Sequence, residues 1–154
     1  MMNDATRLVW FIEHPSARVW SVNPYRQCGI RCVYCVARSQ GEAQPWFGPD
    51  RVTDELRSRL KEVPSDMEVF VGALVDAYPP EEATLGVTRL SLAELSRQGR
   101  SFCISTKSTL VQRDTDILVR HVGHCDVFIG LCALDQGLIS RLEVCAPSVA
   151  DRLQ

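Results

Sequence analysis

The sequence predicts an α/β fold, a parallel sheet covered by helices, on two observations. Short apolar runs alternate with longer amphipathic stretches along the chain, in the order strand, helix, strand, helix. The apolar runs are continuous rather than alternating in polarity, as strands buried on both faces are.

The elements follow in order. "RVWSV" (18–22) reads as a strand, preceded by an N-terminal lead-in (1–17) and opening a single core domain (18–154). "GPDRVTDELRSRLKEV" reads as a helix started by Pro49 and Asp50, with Val52, Leu56 and Leu60 on one face. "MEVFVGALV" (67–75) has strand length; "PEEATLGVTRLSLAELSRQG" reads as a helix with acids near its start and Gly99 at its end. "SFCIST" (101–106) is a third strand, "RDTDILVRHV" (113–122) a short helix, "DVFIGLCAL" (126–134) a fourth strand, and "DQGLISRLEV" (135–144) a further helix. With right-handed crossovers, the loops after all four strands face the same side of the sheet, where α/β folds collect their chemistry. Residues distant in sequence then share one site.

The bulk numbers set bounds. A chain of 154 residues suffices for one domain with a hydrophobic core. A net charge of -2 argues against a strongly basic nucleic-acid surface. Near the N-terminus only Leu8 to Ile12 are consecutively apolar, short of a secretory core or of the roughly 20 residues of a membrane span. A cytoplasmic protein without a membrane partner is expected.

Three of the seven cysteines, Cys28, Cys32 and Cys35, crowd into "NPYRQCGIRCVYCVAR" (23–38), on the loop after the first predicted strand. An odd, clustered set in a reducing compartment reads as a metal site rather than a disulfide framework. Zinc sites usually draw on two separated pairs, and no histidine or distant cysteine here shows a partner at zinc spacing. Three thiolates without a fourth suit a four-iron, four-sulfur cluster, [4Fe-4S], with one iron left open to an exchangeable ligand; structural zinc is the alternative. Cys103, Cys125, Cys132 and Cys145 read as small buried hydrophobes or unused thiols.

The Cys-x3-Cys-x2-Cys spacing, with an aromatic (Tyr34) before the third cysteine, resembles the signature of radical S-adenosylmethionine (SAM) enzymes. "NPYRQCGIRCVYCVAR" is similar to the Asn-Pro-Tyr-Arg-Gly-Cys motif of the spore photoproduct lyase-like branch, which includes relatives named as DNA repair photolyases. "VDAYPPEE" (75–82), "STKSTLVQRD" (105–114) and "LDQGLISRLEVCAPSVADRL" (134–153) resemble that branch's later motifs in order. The resemblance runs from about Arg18 to the end and implies a partial TIM-type (β/α) barrel, here of four strand–helix units. It implies a [4Fe-4S] cluster on Cys28, Cys32 and Cys35, with the open iron chelated by S-adenosyl-L-methionine. It implies reductive cleavage of SAM to methionine and a 5'-deoxyadenosyl radical, fed by a flavodoxin- or ferredoxin-type electron donor.

The resemblance also assigns cofactor-binding roles. Tyr34 would lie beside the adenine, Asp76 near the SAM amino group and Lys107 near its carboxylate. Packing, a turn or N-cap acid, and a solvated lysine are the respective alternatives. Asn23, Tyr25 and Arg26 read as shaping the loop, Arg113 and Asp114 as a family motif or a structural salt bridge, and Tyr78 with Pro79 and Pro80 as a rigid turn.

The sequence departs from the branch at Gln27, where glycine is usual, at Val36, where an aromatic is common, and at Gly130, where a serine often helps hold SAM. It also lacks the cysteine that true spore photoproduct lyases carry in the segment "FVGALVDAY", which disfavours that repair reaction. The family's barrel runs to more than four strand–helix units. Two functions are therefore expected in competition: a radical SAM enzyme of unknown substrate, or a non-catalytic iron–sulfur fragment or subunit needing a second chain to complete the barrel. A nucleic-acid substrate enters by family analogy alone.

Overall fold

A computed structural model describes residues 8–14, 17–35 and 43–154. Its strands are β1 (Val9–His14), β2 (Ala17–Val22), β3 (Val69–Val71), β4 (Phe102–Thr106) and β5 (Cys125–Ile129). Its helices are α1 (Val52–Arg59), α2 (Glu82–Leu85), α3 (Val87–Arg97), α4 (Thr115–Arg120), α5 (Gln136–Leu142) and α6 (Val149–Leu153), with 3-10 turns at Leu60–Glu62 and Thr109–Asp114. The strands form one sheet in the order β1-β2-β3-β4-β5. The pairs β2–β3, β3–β4 and β4–β5 are parallel and β1 is antiparallel to β2, so the fold is α/β with a four-stranded parallel sheet.

Register explains the core. Val22, Val71, Ile104 and Val127 stand in one row across the sheet, and Trp20, Val69, Phe102 and Cys125 in the next. On that face Val22, Val69, Val71, Phe102 and Ile104 are fully buried, against Val52, Leu56 and Leu60 from the α1 segment and Val87, Leu92 and Leu95 from α3. Helix α1 packs against α3, and α3 against α4. The i, i+4, i+8 stripe expected at Val52, Leu56 and Leu60 is the buried face, although α1 ends at Arg59 and its last turn tightens to 3-10 geometry.

Several elements differ from expectation. The run 67–75 yields a strand of only three residues, because Gly72 turns the chain with φ +85°. A Cβ there would lie 2.8 Å from the Ser105 carbonyl oxygen, so the close approach of the two strand ends requires glycine. The helix expected through residues 80–99 is two: Gly86, at φ +63°, ends α2 and α3 restarts at Val87. Gly99 closes α3 as expected, at φ +65°, with Arg100 N–H bonded to the Leu95 carbonyl. The run 126–134 is strand only as far as Ile129. Residues 9–14, inside the lead-in, form β1, and α6 was not anticipated.

β5 is the edge of the parallel set, and Val127, Phe128 and Ile129 are 38%, 55% and 39% exposed, so the sheet ends on an apolar strand. Among the described residues no helix is long and apolar enough to cross a membrane.

Candidate functional site

The parallel strands β2, β3 and β4 end on one side, and the loops that follow them build the site. At the exit of β2, buried Asn23 donates to Ser21 Oγ at 2.8 Å and accepts from the Leu74 N–H at 3.1 Å, fastening the loop after β2 to the loop after β3. Tyr25 is 1% exposed and donates to Glu82 Oε2 at 2.6 Å. Arg26 lies over the Trp46 ring at 4.4 Å. These residues shape the loop, as expected, and hold it from below.

Beyond them the backbone bends sharply. Arg31 sits in the left-handed region at φ 57°, a conformation that costs a residue with a Cβ about 1–2 kcal/mol. The bend lies between Cys28 and Cys32 and brings the chain back so that Cys28, Cys32 and Cys35 line one cleft of ≈ 170 Å³. The same cleft is lined by Gly72, Ala73, Leu74 and Asp76 after β3 and by Ser105 and Lys107 from the end of β4. Five of the six sequence-predicted site residues thus meet on one surface.

Each has a definite environment. Burial pushes the Cys28 thiol up to about 11, against the opposing effect of the Ile30 N–H that points at its sulfur at 3.5 Å. Burial also raises Cys32, while the Lys107 ammonium pulls it down. Asp76 accepts from the Tyr78 N–H at 2.9 Å, the Thr106 hydroxyl at 2.6 Å and the Lys107 N–H at 2.8 Å. It is therefore a turn acid tying β3 to β4 while it borders the cleft. Lys107 reaches across Gly130, with its ammonium 5.9 Å from the centre of the Tyr34 ring.

Tyr34 stands apart from the cleft lining. Its ring is half-exposed, and its hydroxyl donates to Glu143 and meets the Cys132 and Cys32 thiols. Burial first, and the hydrogen bond to Glu143 next, push that hydroxyl well above the usual phenol range. Val36, the residue after the third cysteine, lies outside the described residues.

Sequence reasoning missed Glu143 and Arg152. Glu143 is 1% exposed, forms a backbone bridge with Cys32 and binds Arg152 Nη1 at 2.6 Å. The Val33 N–H bonds to the Leu142 carbonyl at 2.8 Å and the Cys145 N–H to the Ile30 carbonyl at 3.0 Å, so the segment after α5 straps the cysteine loop. Arg113 and Asp114 form a buried network: Arg113 bonds Glu82 at 2.6 Å and Asp114 at 2.8 Å, and Asp114 also receives Arg89 and the Tyr78 hydroxyl. Burial pushes Asp114 up, but Arg113, Arg89 and Tyr78 outweigh it and hold its carboxyl below the usual range. That pair is structural, and the Tyr78 turn is anchored by it.

The scattered cysteines divide. Cys103 is buried and Cys125 packs on the core, whereas Cys132 and Cys145 are exposed, so the apolar run around Cys132 does not bury it. All seven lie among the described residues and none is in a disulfide. His121 is stacked on Phe102 with ring nitrogens bonded to the Arg100 carbonyl and the Ser96 hydroxyl, which leaves it a core residue.

Among the described residues, no three His, Cys, Asp or Glu side chains converge where a single metal ion could be held. A cluster makes a different demand, one thiolate at each of three irons, and so keeps its thiolates apart. Three soft sulfurs on one cleft, with the apolar Ile30, Ala73 and Leu74 beside them, fit that donor set. Comparison with protein-family models, curated proteins and solved structures returns no match.

Proposed function

We propose that the chain binds a [4Fe-4S] cluster through Cys28, Cys32 and Cys35, takes S-adenosylmethionine at the open iron, and acts as a radical SAM enzyme. The observation that supports it is the shared cleft, in which the three thiols meet Lys107 and Asp76 from two further loops. The strand order, sequential and parallel from β2 to β5, agrees with a partial TIM-type barrel: a sheet without a reversal sends successive right-handed crossovers to the same face. Cys28, Cys32 and Cys35 would hold the cluster, which when bound and reduced would supply the one-electron chemistry that cleaves the sulfonium of SAM to methionine and a 5'-deoxyadenosyl radical.

The chain's own residues do the rest. The strap after α5 and the Tyr25–Glu82 bond hold the cysteine loop in place. Lys107 offers a cation to a carboxylate. Asp76 spends three acceptor contacts on protein donors, so it would serve a ligand's ammonium by its charge more than by a hydrogen bond.

A second reading, a non-catalytic iron–sulfur subunit that needs a second chain, is favoured by the exposed apolar edge at β5. Anaerobic reconstitution, reduction with dithionite and chromatographic assay for 5'-deoxyadenosine separates the two. The enzyme reading expects product that vanishes in Cys32→Ala. Cluster without product, even with a flavodoxin-type donor, leaves the subunit reading.

A further inference from the structure

Glu143 has no role in the reading above, yet it is buried directly behind the cleft, bridged to Cys32 of its lining and bonded to Tyr34 and Arg152 outside it. One carboxylate oxygen accepts from Tyr34, the other from Arg152 Nη1, and the backbone pairs with Cys32. The Lys107 ammonium stands 4.0 Å from Glu143 Oε1, near enough for attraction and too far for a hydrogen bond. The Lys107 side chain is 25% exposed, and among the described residues no acceptor hydrogen-bonds its ammonium. Its stem lies over Gly130, where a Cβ would come within 3.2 Å of Lys107 Cγ.

A partly buried ammonium held by charge alone keeps its donors for another acceptor. Lys107 lines the cleft with the three cysteines and its charge reaches Cys32, so the acceptor it awaits is an anion seated in the cleft. Arg152, with a side chain 0% exposed, answers the Glu143 charge, which keeps that carboxylate from making the cleft strongly anionic.

We propose that Glu143 is a positioning residue that aims Lys107 at the carboxylate of the amino-acid portion of the ligand. The proposal rests on the cluster-and-SAM reading, and its ligand is S-adenosylmethionine. Glu143 does not touch the ligand; it acts through Lys107.

The test uses the full chain with its cluster reconstituted and left oxidised, so that nothing turns over. Anaerobic equilibrium dialysis measures the affinity for SAM and for decarboxylated SAM in the wild type, Glu143→Gln, Lys107→Met and the double variant. Glu143→Gln and Lys107→Met each weaken SAM binding about fivefold to tenfold, the scale of one charge-assisted contact. The double variant is no weaker than Lys107→Met alone, and decarboxylated SAM binds all four proteins equally. Additive losses, or equal losses for the decarboxylated ligand, overturn the proposal and make Glu143 a support of the fold only. Where Glu143→Gln fails to fold because Arg152 is left buried without its partner, Glu143→Gln with Arg152→Gln removes both charges and is read by the same comparison. A wild type that assembles no cluster, by iron and sulfide content, or binds no SAM overturns the underlying reading instead.

Discussion

Tyr25 donates its hydroxyl to Glu82 Oε2 at 2.6 Å across 57 positions of sequence, and both residues are buried. The bond joins the approach to the cysteine loop with the start of α2, where Glu82 also receives Arg113 at 2.6 Å and the Thr88 N–H at 2.9 Å. The cysteine loop is thereby fixed to a charged network that extends to Asp114 below β4.

Tyr25→Phe removes one donor and leaves Glu82 with its others. The expected cost is about 1–2 kcal/mol, since the lost bond has a charged acceptor. Glu82→Gln is expected to cost more, about 2–3 kcal/mol, because the buried Glu82 carboxylate accepts from Tyr25, Arg113 and the Thr88 and Arg89 N–H groups together, while Arg113 keeps Asp114. Urea unfolding followed by circular dichroism orders the two variants, and the reverse order would contradict the network.

Gly72→Ala places a Cβ 2.8 Å from a backbone carbonyl at a residue with φ +85°. Neither the strain nor the contact relaxes by moving a flexible side chain, so a loss of about 2–4 kcal/mol is expected. The midpoint of urea unfolding reads it; an unchanged midpoint would show that the ends of β3 and β4 are not so closely apposed.

Glu94 supplies a pH dependence far from the cleft. Burial alone pushes its carboxyl up, but Arg97, Arg57 and Gln98 outweigh that and hold it at about 2, against an ordinary 4.5. The folded value lies below the unfolded one, so the stabilisation is whole above pH 4.5 and is lost as pH falls towards 2. Solvent around the two half-exposed guanidiniums limits it to the order of 1–2 kcal/mol. Stability measured at pH 7 and pH 3 should fall less in Glu94→Gln than in the wild type; equal falls would contradict the assignment.

Phe128 is 55% exposed on the edge strand. Phe128→Lys should leave unfolding within about 0.5 kcal/mol of wild type, as surface changes do. On the second-chain reading it also abolishes self-association seen by sedimentation velocity; a wild type that stays monomeric at every concentration and cleaves SAM alone refutes that reading.

How much of this was legible in the sequence varies by residue. Val71, Ile104 and Val127 lie in continuous apolar runs, and those runs are strands in parallel order. β3 is shorter than its run because Gly72 takes a positive φ, which composition does not display. β1 was hidden because a strand–helix alternation says nothing of an antiparallel partner at the edge. In the site, cysteine spacing marked three neighbours on one loop. Asp76 and Lys107 were named through resemblance, and the structure sets both on the cleft. Glu143 was illegible: one glutamate at the end of a short amphipathic helix reads as solvent-facing. Only its bridge to Cys32 and its bond to Arg152, nine positions on, show it to be buried.

The central claim is that Cys28, Cys32 and Cys35 hold a cluster with one open iron. Iron and sulfide content after anaerobic reconstitution, with electron paramagnetic resonance of the reduced protein before and after adding SAM, tests it most directly. The account predicts about four irons and four sulfides per chain. It also predicts a reduced-cluster signal that changes when SAM is added, and loss of both in each single Cys→Ala variant. One tightly held zinc per chain, or a cluster signal indifferent to SAM, would contradict it.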